Sequence, residues 1–309
     1  IIVAAVIRKE LGYWEPCIHR LIEEYPTYSD DEITWALIDE VGRERSQKLL
    51  PIFEKYKGKK GRLSIQTNAK NYRSKEKMLE QALHLNTLGK NMQVKMPASA
   101  AGIEAMEEAT YRGVSINATV SFTVAQAVAV AEAVERGLNR RVAEGLSIDE
   151  MSPVCTIMIG RTDDWLKASC AKDNLVVDPE ALEWGGVAVI KEAYRIYQER
   201  GYRTRLLSAA NRNHLHWSQL IGGDLCQTIN YGWQKRLEHC NVEVRNYMSD
   251  PVPERWIQQL NTLPEFHKSF DEKGMAPEEF MQYGGAQDTL RTFISGYEDL
   301  VKQIRSYMI

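Results

Sequence analysis

A lysine stands inside an otherwise apolar, strand-like run, Met92-Gln93-Val94-Lys95-Met96-Pro97, and it is the side chain best placed to do covalent chemistry. An ammonium carried into a protein interior loses its hydration and must be neutralised or paired. Desolvation lowers its pKa and frees the amine to attack carbonyl groups. The competing reading is a lysine that snorkels from a strand end or pairs with a carboxylate. Polar residues at strand spacing surround it. Ser64 and Gln66 share a face of Arg62–Thr67, Asn117 and Thr119 share a face of Val114–Thr119, and Thr156 and Met158 share a face of Val154–Ile159. An apolar core would favour Val or Ile at Asn117 and Thr119. They read either as groups that hold a hydroxylated substrate and a water, or as a satisfied polar layer at the mouth of a sheet.

Two arginines suggest an anion. Arg161 follows Gly160 just after one strand-like run, and Arg212-Asn213 follows another and precedes a helix. Guanidinium forks and helix N-termini both suit a phosphate dianion. For each arginine alone a surface salt bridge is the alternative. His214 and His216 form an H-x-H, but residues two apart diverge on a helix and no third ligand has a sensible spacing. They are expected at a helix start or pocket rim, with no metal.

These residues need a scaffold that brings strand ends together. Candidate strands are Arg62–Thr67, Met92–Met96, Val114–Thr119, Val154–Ile159, Arg205–Ala209 and Leu225–Ile229. Amphipathic stretches lie between them, Lys75–Leu88, Ala101–Arg112, Val124–Gly137 and Val187–Glu199, the last stopped by Gly201. Alternating strand and helix implies a parallel sheet covered by helices. No glycine fingerprint follows a strand, so a dinucleotide fold has little support, and a closed (β/α) barrel fits the spacing better. In such barrels active-site groups lie at the C-terminal ends of the strands.

Ser29-Asp30-Asp31-Glu32 opens a helix expected to run to about Tyr56, and Thr289–Met308 is a final helix that could pack across the barrel. The charged stretch Arg140–Asp149 reads as a solvated helix–loop. The expected organisation is one domain over 1–309: an N-terminal helical region 1–60, a barrel core 61–240 and a C-terminal helical extension 241–309. Six strands are visible, whereas a closed barrel of this kind has eight. The opening Ile1–Ile7 reads as an apolar run passing straight into a helix, so the chain is expected to begin after the first two strands.

Of 309 residues, 44% are hydrophobic and 26% charged, with a net charge of −3, so the basic excess of a nucleic-acid reader is missing. No apolar run reaches the length needed to span a bilayer, and Ile1–Ile7 lacks the charged start of a signal peptide. The five cysteines, an odd number without C-x-x-C, read as reduced thiols and point to the cytoplasm. The sequence leaves the oligomeric state open.

Several stretches, in consistent order over roughly residues 60 to 230, resemble the transaldolase family. Val94-Lys95-Met96-Pro97-Ala98-Ser99-Ala100-Ala101-Gly102-Ile103 is similar to its lysine-bearing strand. Gly113 to Phe122, continuing through Gln126-Ala127, looks like the next strand with its Asn and Thr. Gly160-Arg161-Thr162-Asp163-Asp164-Trp165 and Ala210-Asn211-Arg212-Asn213 resemble the motifs with two phosphate-binding arginines. The resemblance implies a (β/α)8 TIM barrel of the pentose phosphate pathway that uses no cofactor. Lys95 would be its Schiff-base lysine, Thr119 would hold the catalytic water, and Asn117 and Thr156 would contact substrate. Arg161 and Arg212 would grip the phosphate of a sugar phosphate.

Departures from the family pattern keep other readings alive. The family's acid–base Glu is matched by Gln66, which orients water but cannot shuttle a proton. That glutamine resembles fructose-6-phosphate aldolases, which release the three-carbon unit, yet their Tyr is replaced by Met158. Thr156 and Ala210 stand where the family usually has serine, and its strand-one Asp and strand-two Asn have no counterpart. The alternatives are therefore a non-transferring class I aldolase, a phosphosugar-binding barrel that has lost turnover, and a metal-assisted hydrolase built on His214 and His216.

Overall fold

A computed structural model describes residues 2–309, with Ile1 outside the description. Three helices come first, α1 (Ile2–Lys9), α2 (Leu11–Glu24) and α3 (Asp30–Lys55). The expected start of α3 is where the side chains put it. Ser29 Oγ accepts from Glu32 N, and the Glu32 carboxylate accepts from Ser29 N at 2.8 Å, a reciprocal cap with acidic residues at the positive helix end. The opening run is helical where it is described, burying Ala4 and Ile7 one turn apart. The expected alignment of Ile1 just after a strand lies outside the described residues.

Strand and helix then alternate: β1 (Leu63–Gln66), α4 (Lys75–Asn86), β2 (Met92–Pro97), α5 (Ala100–Tyr111), β3 (Ile116–Ser121), α6 (Val124–Ala143), β4 (Val154–Ile157), α7 (Ile159–Asp173), α8 (Pro179–Leu182), α9 (Gly185–Arg200), β5 (Arg205–Ser208), α10 (Leu215–Ser218) and β6 (Cys226–Gln227). All pairings are parallel and the strand order is sequential, so the chain winds one way into a half-barrel flanked by helices. On β2 and β3 the alternates Val94, Met96, Ile116 and Ala118 are fully buried in one cluster with Met78, Ala105, Met106 and Ala127 of the covering helices. The other face is left to the polar residues.

Strand boundaries moved where caps and turns intervene. β3 starts two residues later than expected because Gly113 (φ +89°) is still turning off α5 and Val114 N bonds back to Ala109 O. β4 stops at Ile157 because α7 begins at Ile159. β6 shrinks to two residues at a sheet edge that has no further strand among those described. The chain closes with α11 (Tyr231–Glu238), α12 (Glu254–Leu260), α13 (Pro264–Phe270) and α14 (Gly284–Met308). As expected for the final helix, α14 lies across the assembly, against α3, α7, α2 and β3. No described helix is long and apolar enough to cross a membrane.

Candidate active site

The register of the first three strands lines up the sequence candidates. Gln66 lies opposite Lys95, Lys95 opposite Asn117, and Pro97 opposite Thr119. Lys95 faces a cavity of about 400 Å³ whose wall includes Ser64, Gln66, Trp35, Phe293 and Tyr297. Burial lowers its pKa to about 8, and no charged neighbour contributes to that shift. The cavity's carboxylate, Glu10, is paired with Arg45 and accepts from Trp14.

This sets a pH-dependent cost. Below about pH 8 the amine is protonated in folded and unfolded chains alike, and the folded state bears the full desolvation of the ammonium. Between about 8 and the unfolded value near 10.5 only the unfolded chain keeps its proton, so stability rises with pH across that window. Lys95→Met is therefore expected to raise stability by about 3 kcal/mol near neutrality, a gain that shrinks towards pH 10. Urea unfolding at the two pH values measures it; an equal gain at both would assign the effect to packing.

Asn117 belongs to a polar chain across four strands. Its Nδ2 donates to Ser64 Oγ (3.1 Å), Ser64 Oγ donates to Gln93 Oε1 (3.0 Å), and Thr156 Oγ1 donates to Asn117 Oδ1 (2.7 Å). Thr156 thus fixes the amide of Asn117. One Nδ2 hydrogen remains for another acceptor. The Thr119 hydroxyl is buried and has no hydrogen-bond partner among the described residues. A buried unsatisfied hydroxyl is costly, and a bound water or substrate oxygen would satisfy it.

The backbone beside Thr119 is irregular. The β3–β4 register shifts between Ala118 and Ser121, and Val120 has φ +51°. A β-branched residue in that region carries of order 1–3 kcal/mol of strain, which persists only where surroundings enforce it. Gln126, fully buried on α6, does so. Its Nε2 donates to Val120 O (3.0 Å) and Ala98 O (3.1 Å), and its Oε1 accepts from Phe122 N (2.9 Å).

Arg161 lies in the first turn of α7, half-buried, donating to Thr289 Oγ1 of α14 (3.0 Å) with its guanidinium 5.8 Å from the centre of the Phe293 ring. Burial, and then Arg212 nearby, lowers its pKa. Arg212 follows β5 and forks onto Asp164, with Nε at 3.0 Å from each carboxylate oxygen and Nη2 at 2.6 Å from Oδ2. The two segments touch: a Cβ on Gly160 would fall 1.7 Å from Ala210 O and 2.9 Å from Arg212 Cγ. Phe293 joins the halves of the site, walling the Lys95 cavity and lying against Arg161.

His214 caps the short α10 and His216 sits within it, as expected of helix-start residues, but His216 is fully buried instead of lying at a rim. Both His216 ring nitrogens are engaged, by Asp163 and by the Arg212 N–H, which leaves no free lone pair for a metal. Sequence reasoning expected the final helix across the barrel but not which of its side chains, Phe293, Tyr297 and Thr289, reach the site, because they carry no local signal. It also missed Gln126, although the glutamine stood in a quoted motif.

Parallel strands alternating with helices, with polar side chains gathered on the inner face and towards the strand ends, define an α/β protein of the half-barrel kind. The chain matches the Transaldolase/Fructose-6-phosphate aldolase family over residues 4–304 and belongs to it. It is 32% identical over 162 residues to a transaldolase of Thiobacillus denitrificans, covering 51% of this chain and 44% of that one. In that alignment the chain spans less than half the relative's length. It is 25% identical to a transaldolase of a Marinomonas species over 93% of this chain and 86% of that one. With a transaldolase of Saccharomyces cerevisiae it shares 27% identity over 80% of this chain and 69% of the relative.

Proposed function

We propose that this chain carries a transaldolase-type reaction on a sugar phosphate, with Lys95 forming the Schiff base. The observation that carries the reading is a desolvated amine, its pKa lowered to about 8, on the wall of a cavity and in register with Gln66 and Asn117. Family membership supports it.

In this mechanism the neutral Lys95 amine attacks the C2 carbonyl of a ketose phosphate, and loss of water gives the iminium. As C3–C4 breaks, the C4 hydroxyl passes its proton to the water held at Thr119. The bond's electron pair enters the iminium, which releases an aldehyde phosphate and leaves an enamine bearing the dihydroxyacetone unit. The enamine carbon then attacks an acceptor aldehyde, the alkoxide formed on the acceptor takes that proton back, and water returns Lys95. Asn117 would bind the substrate beside the imine, held in orientation by Thr156. Thr119, with its unsatisfied hydroxyl, would hold the water that Gln66 helps to orient. Arg161 and Arg212 would grip the phosphate. A closed barrel of eight strands would bridge the outer edges of β1 and β6, which have no further strand beside them among the described residues. The core at 61–240 and its helical flanks act as one domain.

Gln66 favours a second reading. It cannot take a proton, and Glu10 is tied to Arg45, so the described cavity wall offers no free carboxylate for acid–base work. Gln66 is also the residue by which the chain resembles the fructose-6-phosphate aldolases. In free aldol cleavage the enamine carbon takes a proton from water, and the three-carbon unit leaves as dihydroxyacetone after hydrolysis. Borohydride reduction in the presence of fructose 6-phosphate, followed by peptide mapping, is expected to place an adduct on Lys95. Added acceptor aldehyde then separates the readings: a longer ketose phosphate means transfer, and release of dihydroxyacetone means cleavage. A folded protein without an adduct would sink both.

A further inference from the structure

The reaction above gives no role to the H-x-H motif or to the aspartates that follow Arg161. We propose that Asp163 and His216 are a positioning pair that holds the two arginine-bearing segments at the spacing a phosphate group needs. This rests on the reading of Arg161 and Arg212 as a phosphate site.

Asp163 and His216 are distant in sequence but meet with fully buried side chains, His216 Nε2 lying 2.7 Å from Asp163 Oδ2. His216 Nδ1 accepts the backbone N–H of Arg212 at 3.0 Å. That bond assigns the tautomer: Nδ1 is bare, so Nε2 carries the proton and donates to the carboxylate. The other carboxylate oxygen, Oδ1, accepts from Gly186 N at 2.7 Å, at the start of α9. A chain of bonds thus runs from α7, two residues past Arg161, through the imidazole to the main chain of Arg212.

Other features fix the same segment. Asp164, next on α7, holds the Arg212 guanidinium from outside, and Ala210 has φ +68° with its carbonyl against Gly160. The left-handed turn at Ala210 is strained, and the Asp163–His216 chain is what anchors the residues just beyond it. A buried pair of this kind is weak evidence for stability, because burial costs both partners their hydration. Its geometric consequence is specific: it sets where the Arg212 backbone sits relative to Arg161. A shift of about 1 Å in such a clamp is enough to cost about a hundredfold in rate.

The test separates phosphate binding from Schiff-base formation. Glucitol 6-phosphate has the phosphate but no carbonyl, and its binding is read by calorimetry. Dihydroxyacetone has the carbonyl but no phosphate, and its capture by Lys95 is read by borohydride trapping. Three variants are compared. His216→Phe removes both nitrogens, Asp163→Asn removes the charge at nearly the same shape, and His216→Asn keeps an acceptor where Nδ1 lies. His216→Phe and Asp163→Asn are expected to weaken glucitol 6-phosphate by about tenfold or more, with dihydroxyacetone trapping within about threefold of the parent. His216→Asn keeps the acceptor for the Arg212 N–H but falls short of Asp163, so it should recover only part of the affinity, and full recovery would show that the link to Asp163 is not needed. Parallel loss of binding and trapping would mean a purely structural pair and would overturn the proposal, as would unchanged affinity. Should His216→Phe fail to fold, Asp163→Asn decides alone. Failure of the parent protein to bind glucitol 6-phosphate would remove the phosphate site itself. Failure of the parent only to trap dihydroxyacetone would remove the Lys95 reading and leave the pair to be judged by calorimetry.

Discussion

Lys95→Met is expected to form no borohydride-reducible adduct and to lose turnover by about a thousandfold or more. The loss is large because the proposed route has a covalent intermediate and the thioether cannot make one. Lys95→Arg should be equally inactive, since a guanidinium keeps its proton and does not form the imine. In the parent protein the free-enzyme profile of kcat/KM should rise with pH through about 8, because only the neutral amine attacks and burial has brought its pKa down to about 8. Lys191 supplies an internal control. Burial also lowers its pKa to about 8, but its ammonium donates to Tyr247 O (2.8 Å) and Asp250 O (2.7 Å). A reduced adduct that survives in Lys95→Met and maps to Lys191 would defeat the assignment of Lys95.

Removing the arginines should raise KM for a sugar phosphate, unequally. A charge-assisted hydrogen bond to phosphate contributes about 1.5–3 kcal/mol, or roughly 10- to 150-fold in affinity. Arg161 bonds a neutral hydroxyl, Thr289 Oγ1, so its charge is available to a phosphate with little to give up. Arg212 must share itself with Asp164, which it already contacts through three hydrogen bonds. Arg161→Ala is therefore expected near the top of that range and Arg212→Ala near about tenfold. Steady-state kinetics with fructose 6-phosphate and with unphosphorylated fructose make the comparison, the second substrate being nearly indifferent to either change. Equal effects on both substrates would show that the arginines support the fold and not the phosphate.

Much of this was readable along the chain. Period-two alternation exposed the strands and placed Lys95, Gln66, Asn117 and Thr119 on inner faces, and the register brings Gln66, Lys95 and Asn117 into one row. The start of α3 was legible because Ser29 and Glu32 cap each other within one turn. Gln126 was visible only as part of a motif. Its work, holding Val120 at φ +51° beside Thr119, depends on three backbone groups that local pattern does not connect.

The sequence by itself determined the order of elements, the apolar and polar faces of the strands, and which side chains have the chemistry for an imine and a phosphate. Those properties follow from steric and hydrogen-bonding preferences among near neighbours. Tertiary structure alone decided that Phe293 of α14 walls the Lys95 cavity, and that Asp163 turns inward to His216 while Asp164 turns outward to Arg212. Adjacent residues on a helix face different directions, and which direction is buried depends on what the rest of the chain packs there. Partners so distant along the chain meet only when the sheet and its helices close together, so no local spacing encodes the meeting.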